Sequence, residues 1–390
     1  MKQIRSITDL AINGAPPAFS QALHVGRPNI GDHAAMLDRT AQVLQGSWLT
    51  NNGPMVRELE ARIAAMLGVR HCVAMCNGTI ALEIAIRALR LEGEVIVPSW
   101  TFIATAHALH WQGITPVFAD VDPHTHCLDP SAVERMITPR TSGVIGVHLW
   151  GRPSPAVELA AVADKHGLAL LFDAAHAFGC SKDGLPIGGL GRCEVFSFHA
   201  TKVFNTFEGG AVCTNDNELA EAMRLMRNFG FRDIDDVIHP GTNGKMPEIN
   251  AAMGLINLDA LPSHIDANRL AYERYLSLLD DNARIEILRH QANDTPNYQY
   301  VVLQVCDEDP TLRDRIIKAL QAENVLARKY FWPGCHRMKP YRDLYPHAGM
   351  LLPNTELVAA RNIVLPTGSG IDAASAACIA SVISQVCAAR

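Results

Sequence analysis

The stretch Glu194–Gly210 reads EVFSFHATKVFNTFEGG, and the rest of the chain is organised around it. A hydrophobic strand runs into a polar turn that ends on one lysine, Lys202. The side chains flanking that lysine are apolar: Phe198, Val203, Phe204 and Phe207. Because an ammonium group is strongly hydrated, such surroundings favour the neutral amine, which forms Schiff bases with carbonyl compounds. The alternative is a solvated surface lysine, the usual place of this residue type.

A second chemical group stands upstream, where the apolar run Leu168–Phe172 closes on Asp173. Buried parallel strands deliver side chains at their carboxyl ends in this way. A buried acid needs a cationic partner, and the protonated pyridine nitrogen of pyridoxal phosphate is one. A Schiff-base lysine and an acid at the pyridine nitrogen are the usual pair around that cofactor. The alternative for Asp173 is a carboxylate that caps a turn.

Further motifs occur in a fixed order along the chain. They are Gly46–Pro54 (GSWLTNNGP), Asn77–Thr79 (NGT), Pro98–Phe102 (PSWTF), Asp173–Gly179 (DAAHAFG), Ser197–Lys202 (SFHATK) and Glu208–Gly210 (EGG). With these motifs the chain resembles, over nearly its whole length, the sugar aminotransferases of the fold-type I pyridoxal phosphate enzymes, the DegT/DnrJ/EryC1/StrS group.

The resemblance implies catalytic roles for two residues. Lys202 would hold pyridoxal 5'-phosphate as a Schiff base and then move a proton between the substrate carbon and the cofactor. Asp173 would keep the pyridine nitrogen protonated, so that the ring can accept an electron pair. Because the dehydratase branch of the family has histidine in place of the lysine, Lys202 excludes that branch.

The resemblance also implies residues that bind the cofactor. Gly78, Thr79 and Ser197 would hold its phosphate, Trp100 would stack on the pyridine ring, and His176 would face the phenolic oxygen. Most of the family has glutamine in place of His176. Each residue has a structural alternative: a helix start capped by asparagine, a strand-end hydroxyl, a packed tryptophan and a core histidine.

A long polar loop, Asn228–Lys245, predicts a shared site. In the family a loop of the neighbouring subunit brings an asparagine to the phosphate. The segment Gly241–Lys245 (GTNGK) matches its G-x-N-x-R pattern, with lysine in place of arginine. Asn243 is therefore a site candidate in a homodimer with shared active sites. The role of Lys245 is in doubt because lysine lacks the bidentate fork of arginine.

The order of predicted elements indicates the fold class. Strands and helices alternate as far as Asp173, which predicts an α/β fold with a mainly parallel sheet and helices on both faces. This agrees with the fold-type I architecture. We expect a large cofactor-binding domain over residues 1–261, with an N-terminal segment that wraps its surface. A smaller C-terminal α+β domain is predicted over residues 262–390.

Composition narrows the class of protein. With 48% hydrophobic and 19% charged residues the chain is typical of a soluble enzyme. Its net charge of −6 argues against nucleic-acid and membrane partners. Neither a leader sequence nor an apolar run of membrane-spanning length is visible. The ten cysteines do not have the spacing of a small disulfide-rich protein, which favours a reducing cytoplasm. No metal site is indicated.

The form of the Lys202 motif, SFHATK followed by NTFEGG, looks most like family members that aminate C4 of a dTDP-4-keto-6-deoxyhexose, with L-glutamate as the amino donor. The nucleotide pyrophosphate would need cations, and we expect them from the segment Arg328–Tyr330, where Arg328 and Lys329 carry the charge beside Tyr330; a solvated charged turn is the alternative. Two other functions stay open. One is the same chemistry on another keto sugar, including a 3-keto or a GDP- or UDP-linked sugar, or on a cyclic ketone. The other is a cofactor-binding regulator without turnover.

Overall fold

The computed structural model describes residues 2–389, in which helices and strands alternate for most of the chain. The α-helices are α1 (His33–Gly46), α2 (Pro54–Leu67), α3 (Gly78–Ala88), α4 (Ala104–His110), α5 (Pro130–Arg135), α6 (Ala156–His166), α7 (Asn217–Met226), α8 (Glu248–Leu279), α9 (Leu312–Ala322), α10 (Lys339–Leu344), α11 (Pro353–Arg361) and α12 (Ala373–Ala388). The strands are β1 (Leu23–His24), β2 (His71–Met75), β3 (Glu94–Pro98), β4 (Thr115–Ala119), β5 (Thr141–Val147), β6 (Ala169–Asp173), β7 (Ser181–Lys182), β8 (Leu185–Pro186), β9 (Glu194–Ser197), β10 (Gly210–Thr214), β11 (Phe231–Asp233), β12 (Asp236–Val237), β13 (Ile285–Ile287), β14 (Asp294–Thr295), β15 (Val301–Val305), β16 (Val325–Leu326) and β17 (Asn362–Leu365).

Seven strands form the central sheet, in the order β2-β10-β9-β6-β5-β3-β4. Pairing is parallel from β9 to β4, whereas β10 runs antiparallel to both of its neighbours. The carboxyl ends of β5, β6 and β9 therefore meet at one edge of the sheet. This mainly parallel arrangement is the one that the alternating pattern predicts.

Helices cover both faces of this sheet, because successive residues of each strand point to opposite sides. Val73 and Met75 of β2 pack with α3, α4 and α7, while Cys72 and Ala74 pack on the other side with α2 and α8. Further along the sheet, α5 and α6 cover the same side as α2. The strands are buried on both faces and accordingly lack polar alternation.

A smaller antiparallel sheet, β13-β15-β17, lies in the C-terminal part and packs on α9, α12 and the second half of α8. Helix α8 spans the predicted boundary at 261/262, with Pro262 inside it. The N-terminal segment, expected on the surface of the large domain, instead packs Ile4, Leu10 and Phe19 into the core of this C-terminal part, and β1 pairs with β16.

Among residues 2–389, no helix has both the length and the apolar character needed to cross a membrane. The loop Asn228–Lys245 carries a short hairpin, β11-β12, and its end pairs with the end of β2 through Met75 and Lys245. It thereby lies beside the same edge of the sheet as the strand ends described above.

Candidate active site

A cavity of about 640 Å³ opens where the central strands end. Strands β5, β6 and β9 contribute Val147, Asp173 and Ser197 to its wall. The beginning of α3 and the turn after β9 close two sides, and residues of the C-terminal part close a third. Open parallel sheets bind ligands at this edge. The cavity brings together most of the residues that the sequence singled out: Gly78, Thr79, Asp173, His176, Ser197, Lys202 and Tyr330.

Lys202 lies in the turn after β9, and main-chain contacts fix the turn. The N–H of Val203 donates to Oε1 of Gln299 (3.0 Å), and the side-chain amide of Asn29 donates to the carbonyl of Val203 (3.1 Å). Phe198 and Phe204 pack into the core beneath the turn. Burial lowers the pKa of Lys202 to about 8, and the nearby Asp173 carboxylate opposes this effect. Lys202 is thus the amine of lowered basicity that its apolar neighbours predict.

Asp173 ends β6 with its carboxylate buried in the cavity wall. Oδ2 accepts a hydrogen bond from the hydroxyl of Thr105 (2.8 Å), and Oδ1 accepts one from the N–H of Ala175 (3.0 Å). Burial raises the pKa of Asp173, while these two donors and Lys202 act in the opposite direction. The carboxylate is held in place, and none of the ion pairs within residues 2–389 involves it, so it can pair with a cationic ring nitrogen.

The N-terminus of α3 forms a site for an anion. Asn77 caps this helix by accepting the N–H of Ile80 (2.9 Å). The N–H groups of Gly78 and Thr79 point out of the helix, and no acceptor is bonded to them within residues 2–389. The backbone of Gly78 packs closely on Ser197: a Cβ at Gly78 would lie 2.9 Å from Cβ of Ser197. The free donors, the helix dipole and the Ser197 hydroxyl fit a phosphate group.

Two aromatic residues of the Pro98–Phe102 motif occupy different places. Trp100 is fully buried and packs edge-on against Phe331 and His126, outside the cavity wall. Phe102 lines the cavity and has 56% of its surface exposed. The structure therefore does not bring Trp100 to the position of a stacking residue. The motif was correctly located, but residues two apart follow different paths once the strand has ended at Pro98.

The remaining predicted residues do not line this cavity. Arg328 and Lys329 line a neighbouring cleft of about 350 Å³, which shares Phe102, Tyr330 and Phe331 with the cavity. Asn243 is exposed and does not line the cavity of its own chain. Lys245, the residue in place of arginine, has its ammonium 4.6 Å from the ring centre of Phe229.

Sequence reasoning missed several residues of the site. Thr105 lies one turn beyond the Pro98–Phe102 motif, where a hydroxyl on the inner face of α4 was the available signal. Tyr300 and Phe331 come from the C-terminal part and reach the cavity only through the tertiary fold. Asn297 holds the loop of His176 by donating to the carbonyls of His176 (2.9 Å) and Phe178 (3.0 Å). No pattern around these last three residues indicates a site.

A comparison with family models decides which protein class carries this site. The model described as the DegT/DnrJ/EryC1/StrS aminotransferase family matches residues 32–384. The chain belongs to this family. The resemblance drawn from the motifs is confirmed, and the chain is an enzyme of the aminotransferase class. Aminotransferases of this family depend on pyridoxal phosphate, and the amine, the buried acid and the anion site of the cavity fit that cofactor.

Individual relatives of the family match over nearly the whole chain. The dTDP-4-amino-4,6-dideoxy-D-glucose transaminase of Shigella dysenteriae is 35% identical over 370 residues, which are 94% of this chain and 100% of that protein. GDP-perosamine synthase of Caulobacter vibrioides is 34% identical over 356 residues, 90% of this chain and 94% of that one. The crystal structure of DesI in the presence of its TDP-sugar product is 51% identical, with a TM-score of 0.92, 97% of this chain covered and 96% of that chain. The predicted fold class is confirmed by this similarity.

Proposed function

We propose that this enzyme transfers an amino group from L-glutamate to C4 of a dTDP-4-keto-6-deoxyhexose. One observation carries the proposal: Lys202, with its pKa lowered to about 8, shares a cavity with the buried acid Asp173 and the anion site at α3. The name of the relative from Shigella dysenteriae and the TDP-sugar product in the DesI structure support a dTDP sugar as the acceptor.

When bound, pyridoxal phosphate supplies a ring that withdraws electrons from the substrate carbon. The N–H groups of Gly78 and Thr79 and the hydroxyl of Ser197 would hold its phosphate. Asp173 would keep the ring nitrogen protonated, and Nζ of Lys202 would remove and return the proton at the substrate carbon. Phe102, which lines the cavity, would replace the buried Trp100 as the aromatic residue next to the cofactor.

A substrate panel tests the proposed reaction. The purified enzyme, loaded with pyridoxal phosphate, is incubated with L-glutamate and dTDP-, UDP- and GDP-linked 4-keto or 3-keto sugars, and each product is identified by mass. We expect amination of the dTDP-4-keto-6-deoxyhexose in preference to the others. Amination of a GDP sugar alone, the nucleotide in the name of the relative from Caulobacter vibrioides, would contradict the proposed acceptor. Binding of the cofactor without any product would favour the regulator.

The cleft beside the cavity is the proposed place of the nucleotide pyrophosphate, and its two cations differ. The ammonium of Lys329 already pairs with Asp314 (3.0 Å), whereas the guanidinium of Arg328 meets no carboxylate within residues 2–389 and lies 4.7 Å from the ring centre of Tyr330. An unpaired guanidinium can bind phosphate oxygens without first losing another partner.

Arg328→Ala is therefore expected to raise the KM for the nucleotide sugar about 10- to 100-fold, the loss of one or two charge-assisted hydrogen bonds. Lys329→Ala is the matched control and should raise it by less than about threefold, since surface ion pairs contribute little. The KM for L-glutamate should not change in either variant. Equal effects of both substitutions on the nucleotide sugar would show that Arg328 is not the phosphate ligand.

We further propose that the active unit is a homodimer with shared sites. Asn243 is exposed on a loop beside the sheet edge and does not line the cavity of its own chain. Its side-chain amide is therefore available to the active site of a second chain. The N–H of Cys76 donates to the carbonyl of Gly244 (2.9 Å), which fixes the loop next to the anion site. A loop held in this way can present Asn243 to the phosphate of the neighbouring chain.

Mixing two inactive variants tests this arrangement. Asn243→Asp places a negative charge against the phosphate, and Lys202→Ala removes the amine. A mixed dimer would contain one intact site, so random exchange of chains should restore about a quarter of wild-type activity. Full activity of Asn243→Asp alone, or no recovery in exchanged dimers, would show that Asn243 does not complete the neighbouring site.

A further inference from the structure

Trp150 lies behind the cavity wall and has an unusual backbone conformation. It lies in a short 3₁₀ turn after β5, is fully buried, and adopts a left-handed conformation with φ 62°. A bulky residue rarely takes this conformation unless its surroundings impose it. The rings of His176 and Phe331 lie nearly parallel to its indole, with centroids 5.9 Å and 5.2 Å from it and 5.9 Å from each other.

The main chain of Trp150 also contacts His176. Its N–H donates to Nδ1 of His176 (3.3 Å). Because Nδ1 accepts a hydrogen bond, the ring proton of a neutral imidazole must be on Nε2. Nε2 has no hydrogen-bond partner within residues 2–389, and the ring lines the cavity, so the remaining donor is available to a ligand. Burial lowers the pKa of His176 well below its usual value, and the charge of Lys202 lowers it further.

The indole is anchored on its other side. Nε1 of Trp150 donates to Nδ1 of His126 (3.0 Å), and Nε2 of His126 meets the side-chain amide of Gln304 on β15. His126 is buried, and desolvation lowers its pKa to about 3, so it stays neutral and Nδ1 can accept the hydrogen bond from the indole N–H. A series of contacts thus connects β15 with the cavity. It runs through His126 and Trp150 to His176 by hydrogen bonds and stacked rings.

We propose that Trp150 is a positioning residue: held by His126, it fixes His176 as the tautomer whose Nε2–H points at the phenolic oxygen of bound pyridoxal phosphate. The inference rests on the proposed cofactor role of His176. A donor at that oxygen stabilises the deprotonated chromophore, which carries more negative charge there. Loss of the donor therefore raises the pH midpoint at which the visible absorption band of the bound cofactor changes.

The experiment titrates the visible band of the full-length holoenzyme across neutral pH. His176→Phe keeps a ring but removes the donor, and should raise the midpoint by about one pH unit, a tenfold change in proton affinity. Trp150→Leu keeps the main-chain N–H that donates to Nδ1 but removes the indole that orients the imidazole and is anchored on His126, so it should raise the midpoint by part of this amount. The double variant should show no further increase, because both changes act on one hydrogen bond. Lys202 and Tyr300, two titratable side chains next to His176, are the same in all these proteins.

Two more variants complete the test. Trp150→Phe keeps an aromatic ring but removes Nε1–H and part of the indole, so it should fold and raise the midpoint by a smaller amount than Trp150→Leu. Trp111→Phe changes a tryptophan that is 84% exposed and should leave the midpoint unchanged. A wild-type midpoint in both Trp150 variants, or additive shifts in the double variant, would overturn the inference while leaving the cofactor role of His176 intact. No shift in His176→Phe would instead contradict that role itself.

Discussion

Lys202→Ala is expected to lower transamination at least about 10³-fold and to leave a folded protein. The amine both binds the cofactor covalently and moves the proton, and proton transfer by a positioned group alone contributes about 10²- to 10⁴-fold. The side chain of Lys202 makes none of the hydrogen bonds that hold its turn; these run through the main chain, at Val203 and at the N–H of Lys202 itself, which donates to the carbonyl of His199 (2.9 Å). Product formation measured by mass gives the activity, and thermal unfolding checks the fold.

Lys165→Ala is the matched control, because that lysine is 65% exposed on α6 and pairs with Glu134 at the surface. It should keep wild-type turnover. Borohydride reduction of the loaded wild-type enzyme, followed by peptide mapping, should place the cofactor on the peptide that contains Lys202. A label on another lysine would show that Lys202 is not the residue that binds the cofactor covalently.

The sequence predicted most of the central sheet because β2, β3, β4 and β5 are short apolar runs, each followed by a helix. It did not reveal that β10 reverses direction, since Ala211–Cys213 is apolar in either orientation. The domain boundary was harder to place for a different reason. Helix α8 continues from one part into the other, and only tertiary contacts show where its neighbours change.

Much of the cavity was predictable from residues that follow directly on strands. Asp173 and Ser197 end β6 and β9, and Gly78 opens the helix after β2, so the parallel strands alone bring them to one edge. Trp100 and Phe102 show the limit of this reasoning, because the path of the turn after β3 decides which ring reaches the cavity. Trp150 and Tyr300 depend on packing between distant segments.

Asp173→Asn is expected to retain the cofactor and to lower turnover about 10²- to 10³-fold, the range for removing one electrostatic contact to a developing charge. Asparagine has nearly the same shape and can still accept from Thr105 or Ala175, so the wall should keep its form. An amide cannot balance the positive charge on the ring nitrogen. The visible band should therefore show full loading, while product formation falls.

Two controls separate the charge of Asp173 from its placement. Thr105→Val removes the hydroxyl that donates to Oδ2 but keeps the carboxylate, and should cost no more than about tenfold, the value of one hydrogen bond. Asp164→Asn, an exposed change on α6, should cost nothing. Near-wild-type turnover in Asp173→Asn would mean that another group holds the ring proton. A loss in Thr105→Val as large as in Asp173→Asn would mean that orientation of the acid, rather than its charge, limits the reaction.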